Sequence, residues 1–173
     1  LLSFKNEVKM VSTKVQIISL VQIISLGPKI YTRVAKSQWI KWYDQIIKEL
    51  RKEKKLKNKA KKILIKKLTI TLVFVDMKKG QMLNSQFRSK RVPTDVLSFS
   101  PTERESLGEL VFCVPVIQRK AREHKISFRD EMLYLFIHGG LHLLSYDHEL
   151  NDSEAQEMYR IQDKAYEHCL INH

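Results

Sequence analysis

The chain has 173 residues, a length that fits one domain. With 43% apolar and 29% charged residues, and only five Gly and four Pro, it cannot be a generally disordered, collagen-like or low-complexity protein. Lys and Arg number 31 against 19 Asp and Glu, a formal net charge of +12, which predicts either nucleic acid or an anionic membrane surface as a partner.

The N-terminal part of the chain predicts a β-strand and contains a direct repeat. The hexapeptide VQIISL stands at 15–20 and again at 21–26. Because six is an even number, the repeat preserves the alternation of strand faces and only lengthens the strand. This apolar run of 12 residues is shorter than the roughly 20 residues of a membrane helix. Gly27-Pro28-Lys29 is typical of a turn, unlike the small-residue cleavage site of a secretory signal.

The cysteines indicate the compartment. Cys113 and Cys169 are too few for a disulfide framework and are typical of reduced thiols. Together with the absence of a membrane-helix or signal pattern in the apolar run, this leads us to expect a cytoplasmic protein that does not contact membranes.

For the domain organisation, we expect residues 1–9 to be disordered or foreign to the native chain, and residues 10–173 to form a single domain.

Residues 36–50 predict an amphipathic helix. Apolar residues recur there with the 3.6-residue period, and Ser37 is the expected N-cap. The aromatic residues Trp39, Trp42 and Tyr43 could stack on nucleic-acid bases, but their helical spacing favours a place in the core.

All of the net charge arises in one lysine-rich segment. Residues 29–67 contain 15 Lys or Arg and three acids, a difference of +12, so the rest of the chain is balanced. A lysine run is typical of a solvated helix and loop, but this concentration favours a surface that contacts the phosphates of RNA. The candidate RNA-binding residues are Arg51, Lys52, Lys54, Lys55, Lys57 and Lys59.

The remaining chain predicts three strands and then mainly helices. The strands, apolar and in part β-branched, are expected at 68–76, 96–100 and 110–114. The helices are expected at 78–88, 115–124, 128–144 and 153–170. The first strand–helix–strand unit predicts a parallel crossover, whereas the last two strands are joined too closely for one and should pair antiparallel. We therefore expect a single α+β domain, with a small mixed sheet of about four strands and about five helices.

Three histidines near the C-terminal end of one predicted helix form a metal-ligand pattern. Ser127 and Asp130 resemble a capping box at the start of this helix. His138 and His142, four residues apart, share a helix face, and His148 can fold back from the following loop. Three imidazoles would hold zinc with a fourth position open to water, as in catalytic zinc sites.

The spacing also has less specific explanations. An isolated pair of histidines four residues apart on an apolar helix is usually structural, but the third histidine makes chance less plausible. The same spacing occurs in metzincin zinc proteases. Those enzymes carry a glutamate general base beside the first histidine, where this chain has Gly139, so peptide hydrolysis is disfavoured.

The segment HGGLHLLSYDH at 138–148 resembles the signature of the YbeY family of zinc-dependent rRNA maturation endoribonucleases. Further upstream, Leu83-Asn84 followed by Arg88, PTDVLSF at 93–99 and LGEL at 107–110 resemble other motifs of the family, in the same order and spacing. In the last of these motifs Asp is usual where this chain has Glu109. The resemblance covers about residues 68–148.

The resemblance implies a cytoplasmic, single-strand-acting, metal-dependent endoribonuclease domain that serves small-subunit rRNA processing and ribosome quality control. It implies one zinc ion on His138, His142 and His148, and it places the family's arginine near the metal at Arg88. The implied partners are rRNA and ribosomal particles, with a ribosomal protein as a further candidate. Glycine is usual in the family where this chain has Ser145, and a serine forced to positive φ there would cost about 1 kcal/mol.

In this interpretation zinc polarises a phosphodiester oxygen and lowers the pKa of its bound water toward about 7. The nucleophile is either that hydroxide or the adjacent RNA 2′-hydroxyl. Arg88 is the catalytic candidate that grips the scissile phosphate. Asp147 either orients an imidazole from behind the ligands or caps the following turn. Thr94 and Asp95 are expected to be structural residues of a turn and a strand entry.

Two hypotheses from other classes remain open. One is a non-catalytic RNA-binding ribosome-assembly factor with a structural zinc, which the basic segment alone would support. The open coordination position argues against it, because structural zinc sites close with four protein ligands. The other is a zinc hydrolase of another substrate, which the missing glutamate at Gly139 disfavours.

Overall fold

The computed structural model describes residues 21–26, 34–66 and 68–171. These ranges contain four strands and six helices, one helix more than the sequence predicts. In chain order the elements are β1 (Val21–Leu26), α1 (Lys36–Lys52), α2 (Asn58–Leu64), β2 (Thr69–Val75), α3 (Met77–Arg88), β3 (Val96–Phe99), β4 (Ser106–Cys113), α4 (Val114–Glu123), α5 (Phe128–Leu143) and α6 (Asp152–Ile171).

The strands form one mixed sheet in the order β1-β2-β4-β3. β1 and β4 both run parallel to β2, which therefore lies in the sheet interior. β3 runs antiparallel to β4, with Val96 opposite Phe112 and Phe99 opposite Glu109. The predicted α+β class is confirmed, as are the parallel crossover and the antiparallel pairing of the last two strands.

Both faces of the sheet are covered, and β2 shows the alternation that this requires. Ile70, Leu72 and Phe74 point into the main core, whereas Val73 and Val75 point into a smaller cluster on the opposite face. A strand buried on both faces is mainly apolar, which explains the continuous apolar run at 72–75; Thr71 is a buried polar exception.

The main core is built around Trp39 of α1. Its ring centroid lies 5.1 Å from that of Trp42, 5.3 Å from Phe136 and 5.7 Å from Phe74. Both tryptophans are fully buried, and Tyr43 is buried with its hydroxyl donating to the Leu68 carbonyl at 2.8 Å. Their assignment to the core is correct, and these rings cannot stack on RNA bases.

Some predicted boundaries differ from the structure. The N-cap of α1 is Ala35, whose side chain makes no capping hydrogen bond, so the prediction of Ser37 as N-cap is wrong. The cap of α5 is correct, since Ser127 Oγ accepts from the Asp130 N–H at 3.1 Å. Residues 1–20, which include the predicted segment 1–9 and the first VQIISL, lie outside the described residues.

Among the described residues, no helix combines the length and the apolar character that a membrane span needs.

Candidate metal centre

Helix α5 carries two of the three histidines and lies very close to the sheet. The close approach occurs at Gly139, where an added Cβ would stand 2.7 Å from Leu110 Cδ2 and 3.3 Å from Ser98 Oγ. A Cβ there would force the buried end of the Leu110 side chain or the helix to shift, so the contact favours a residue without a side chain. The absence of a glutamate beside His138 therefore has a structural cause, since that position faces β3 and β4.

The chain reverses after α5 through a left-handed residue. Ser145 has φ 70°, and its N–H donates to the His142 carbonyl at 2.9 Å. The Tyr146 N–H donates to the Leu141 carbonyl at 3.0 Å, which completes a Schellman motif. The positive φ predicted for Ser145 is confirmed, and the reversal carries His148 back toward the helix.

The structure brings His138, His142 and His148 together. Their ring centroids are 4.8 to 5.2 Å apart, and one nitrogen from each lies within 4.8 Å of the other two. His138 Nε2 and His142 Nε2 are 3.2 Å apart. Two nitrogens bound to one tetrahedral zinc at about 2.0–2.1 Å would be about 3.3 Å apart, so the group can hold a metal ion of this kind.

A buried glutamine sets the orientation of the first imidazole. His138 Nδ1 donates to Gln162 Oε1 at 3.0 Å, which turns Nε2 toward the other two histidines. Gln162 is fully buried on α6, and its Nε2 donates to the Tyr134 carbonyl at 3.4 Å. Sequence reasoning missed Gln162, although a polar residue beside the apolar positions of an amphipathic helix is a signal that could have found it.

The electrostatics of the site favour the neutral form of two of its histidines, His138 and His142. Burial, together with the neighbouring His138 and His148, lowers the pKa of His142 to about 4, and the charge of Asp147 opposes this shift. Burial also lowers the pKa of His138. A neutral imidazole has the free lone pair that a metal requires, so His138 and His142 are suited to bind one at neutral pH.

Of the two roles considered for Asp147, its hydrogen bonding supports the cap. Its Oδ1 accepts from the Glu149 N–H at 2.9 Å, which closes the turn that follows His148. Thr94 and Asp95 also make local contacts: Asp95 Oδ1 accepts from the Val96 N–H at 2.8 Å and from the Thr94 hydroxyl at 3.0 Å.

The histidines lie in a cleft of about 300 Å³. Arg88, the last residue of α3, lines this cleft, and its charge contributes to the lowered pKa of His138. Its Nη1 is 3.7 Å from Glu149 Oε1, a loose ion pair between two partly exposed groups. Arg88 thus lies in the same cleft as the three histidines. Because its ion pair with Glu149 is weak, the guanidinium can leave that pair to bind a ligand.

The remaining described histidines and the cysteines do not join this group. His124 also lines the cleft, where its Nδ1 is 2.8 Å from Glu131 Oε2, and His168 is 3.5 Å from Glu49 on α1. Cys113 and Cys169 are buried and unpaired, and burial raises the pKa of both thiols, that of Cys169 to about 11. Such thiols are poor metal ligands and poor nucleophiles.

The six basic candidates divide into two groups. Arg51 donates to the Leu64 carbonyl through Nε at 2.9 Å and Nη2 at 2.6 Å, and Lys52 pairs with Glu49 at 2.9 Å. Lys57 is held by the loop before His148. All of the six except Lys57 are exposed, and Lys54, Lys55 and Lys59 are the exposed members whose side chains are not engaged by such contacts. None of the six lines the cleft.

Lys57 supports the loop that carries the third histidine. Its Nζ donates to the Ser145 carbonyl at 3.2 Å and pairs with Glu154, and its N–H donates to the Tyr146 hydroxyl at 3.1 Å. Nζ also lies 4.9 Å from the centre of the Tyr146 ring. Sequence reasoning placed Lys57 on the RNA surface because the partner residues are about 90 positions away along the chain.

We expect Lys57→Ala to destabilise the fold by about 1 kcal/mol and to weaken metal binding. It would remove one charge-assisted hydrogen bond and one partly exposed ion pair behind the His148 loop. Denaturant unfolding and metal titration measure the two effects. Lys59→Ala is the matched control, since Lys59 is exposed on the same segment. Equal behaviour of the two variants would contradict the supporting role.

A comparison with known protein families identifies the chain. The family model described as endoribonuclease YbeY matches residues 29–169. The chain belongs to the YbeY family. It is 44% identical over 129 residues to an endoribonuclease YbeY of Bdellovibrio bacteriovorus, a match that covers 75% of this chain and 83% of the relative. It is 37% identical over 115 residues to one from a Thermotoga species, covering 65% and 77%.

A solved structure supports the same assignment. The solution structure of a Thermotoga maritima protein matches this chain with a TM-score of 0.51 and 30% sequence identity, covering 86% of this chain and 88% of that one. As a member of the YbeY family the chain is an endoribonuclease, a hydrolase that acts on RNA. The family resemblance stated from the sequence is therefore confirmed.

Proposed function

We propose that the protein is a metal-dependent endoribonuclease that cleaves single-stranded parts of small-subunit rRNA at the His138, His142 and His148 centre. The observation that supports this most directly is the convergence of three imidazoles in a cleft that also contains Arg88. Zinc suits the donor set, because three imidazole nitrogens leave one position open in a tetrahedral site. When bound, zinc would supply a Lewis acid and a water of lowered pKa.

The residues of the chain would position the reacting groups around this ion. Gln162 holds His138 in the tautomer whose Nε2 faces the centre. Arg88 would leave Glu149 and bind a phosphate oxygen pair, because a planar guanidinium matches that geometry. Gly139 provides no proton acceptor between the ligands, so a hydroxide formed from metal-activated water would have to serve, either as the nucleophile or as the base that takes the proton of the RNA 2′-hydroxyl.

The wider setting is also part of the proposal. The net charge of +12 favours rRNA and ribosomal particles as partners, with Lys54, Lys55 and Lys59 as exposed phosphate contacts. Two unpaired, buried cysteines suit a reducing compartment, so we propose a cytoplasmic location. We propose residues 10–173 as one functional domain.

Removal of the metal tests the central claim. We expect a single-stranded rRNA fragment to be cut by the zinc-loaded protein, left intact after treatment with a chelator, and cut again when zinc is restored. Cleavage products resolved on a denaturing gel report the result. Cleavage that persists at full rate in the chelated protein would contradict metal dependence. Binding of RNA without cleavage under any metal would favour the non-catalytic assembly factor.

Arg88→Ala is expected to slow cleavage by about 10²–10³-fold while the protein keeps its metal. Loss of one donor to the developing phosphate charge has an effect of this order. Arg88→Lys keeps the charge without the bidentate geometry and should recover only part of the rate. Single-turnover cleavage and metal content by atomic spectroscopy separate the effects. A loss of metal in Arg88→Ala would show that Arg88 acts on the ligands instead.

A further inference from the structure

We infer that Tyr159 is a stacking platform for one base of the RNA, a positioning role that rests on the proposed function. Tyr159 lies on α6 and lines the cleft of the three histidines. Its ring stacks on that of His148, with centroids 5.6 Å apart and planes inclined by 28°. The residue nevertheless remains 41% exposed. One face of the ring is therefore covered by His148, and much of the remaining surface is open.

Core packing does not explain an aromatic residue at this position. The buried stripe of α6 that faces the core consists of Met158, Ile161, Ala165 and Cys169, at helical spacing. Tyr159 lies beside this stripe, next to the exposed Arg160. A polar residue at position 159 would leave the core unchanged, so the large ring is available for contact with a ligand.

The helix face that contains Tyr159 is fixed against α5 and the His148 loop. Positions 159, 162 and 166 recur at helical spacing and meet successive partners. Gln162 bonds to His138, and the Tyr166 ring lies 5.4 Å from that of Tyr134 in an edge-to-face contact. Because its neighbours hold the helix in place, the Tyr159 ring is already oriented before a ligand arrives, which lowers the entropic cost of binding.

Cations line the same cleft as the aromatic ring. Arg88 comes from α3 and Lys120 from α4, and both side chains are 38% exposed. Lys120 is paired with Asp95 at 2.5 Å, so its position is fixed as well. Proteins that bind single-stranded nucleic acid combine an aromatic stacking surface with cations for the backbone. A nucleotide whose base stacks on Tyr159 would direct its phosphates toward cations such as Arg88 and Lys120.

This arrangement predicts that single-stranded RNA binds with an affinity that does not depend on which base stacks on Tyr159. Every base offers a π-face, so stacking on a tyrosine tolerates any sequence, and no hydrogen-bond readout is required. Base-paired RNA cannot use the platform, because its bases are already stacked in the duplex. Tyr159 would thus favour unpaired RNA and place the nucleotide beside the His148 side of the metal centre.

Equilibrium binding tests the platform without requiring cleavage. The probe is a fluorescein-labelled single-stranded RNA of about ten nucleotides, titrated by anisotropy with zinc-loaded protein and again in chelator, with gel analysis of its integrity. Each position of the RNA is replaced in turn by an abasic nucleotide. Protein variants are Tyr159→Phe, which keeps the ring, and Tyr159→Leu, which removes it. Leu170→Ala, an exposed apolar position at the far end of α6, is the control.

We expect Tyr159→Phe and Leu170→Ala to bind within twofold of the parent and Tyr159→Leu to bind about tenfold more weakly. One abasic position should weaken the parent about tenfold and leave Tyr159→Leu unaffected, because the two changes remove the same contact. If the abasic replacement weakened binding equally in the parent and in Tyr159→Leu, the platform would be overturned. It would also be overturned if a lower zinc affinity of Tyr159→Leu accounted for all of its loss of RNA binding. Coupled binding without any cleavage would retain the platform and refute the proposed function.

Discussion

His142→Ala is expected to abolish metal binding at the centre and to reduce RNA cleavage by more than about 100-fold. Removal of a residue that only orients a ligand typically costs about 10–100-fold, and removal of a ligand itself should cost more. Two imidazoles, His138 and His148, would remain, and the site could no longer close around a single ion with three protein nitrogens. Because His142 is only half-buried, the fold should survive.

The variant should bind single-stranded RNA within about threefold of the parent, because the exposed lysines and the cations of the cleft are untouched. His124→Ala is the matched control: it removes another histidine that lines the same cleft but stands outside the metal-ligand group. Metal content, RNA cleavage and anisotropy are measured on the three proteins prepared identically. Equal cleavage by parent and His142→Ala would reveal a contaminating nuclease and remove the support for a catalytic centre here.

Residue spacing predicted the parts of the fold and site that depend on local order. The apolar, β-branched run predicted β2 as a strand, and the structure shows that this run is buried on both faces of the sheet. The grouping of the three histidines could be predicted because His138 and His142 are one helical turn apart and His148 is only six residues further on. When residues are close along the chain, the local backbone limits where their side chains can lie, so a sequence pattern can predict that they meet.

Contacts between distant segments could not be predicted in the same way. Gln162 reaches His138 from another helix, and Lys57 reaches Ser145 across 88 residues, so neither contact leaves a periodic signal. Helix α2 was missed because its seven residues include four that are Asn or Lys, and only Ala60 and Leu64 are buried. In each case the deciding interaction is tertiary packing, which overrides local propensity.

The resemblance to the family carried more functional information than the residues alone. A histidine triad with an open position is compatible with several hydrolytic reactions, and the basic segment is compatible with RNA binding of any kind. The structure adds a reason why one of these reactions is disfavoured. The close approach of α5 to Leu110 favours glycine at position 139, and a glutamate there would have to displace the leucine or the helix.

Gly139→Ala is accordingly expected to destabilise the fold by about 2–3 kcal/mol, with Gly139→Glu more damaging still. A Cβ at 2.7 Å from Leu110 Cδ2 must push the leucine or the helix aside. A glutamate would in addition bring a carboxylate into the buried contact between α5 and the sheet. We therefore expect Gly139→Glu to be an unstable protein in which His138 is displaced, and not a peptidase.

Gly140 provides a matched control one residue further along the same helix. An added Cβ at Gly140 meets nothing within 4 Å, so Gly140→Ala should stabilise the protein by about 0.5–1 kcal/mol through the higher helix propensity of alanine. Denaturant unfolding of the two alanine variants should therefore give shifts of opposite sign, and metal affinity should fall only in Gly139→Ala. If both alanines proved equally tolerated, close helix–sheet packing would not explain the glycine, and the absence of a glutamate beside His138 would need a cause in the chemistry of the substrate.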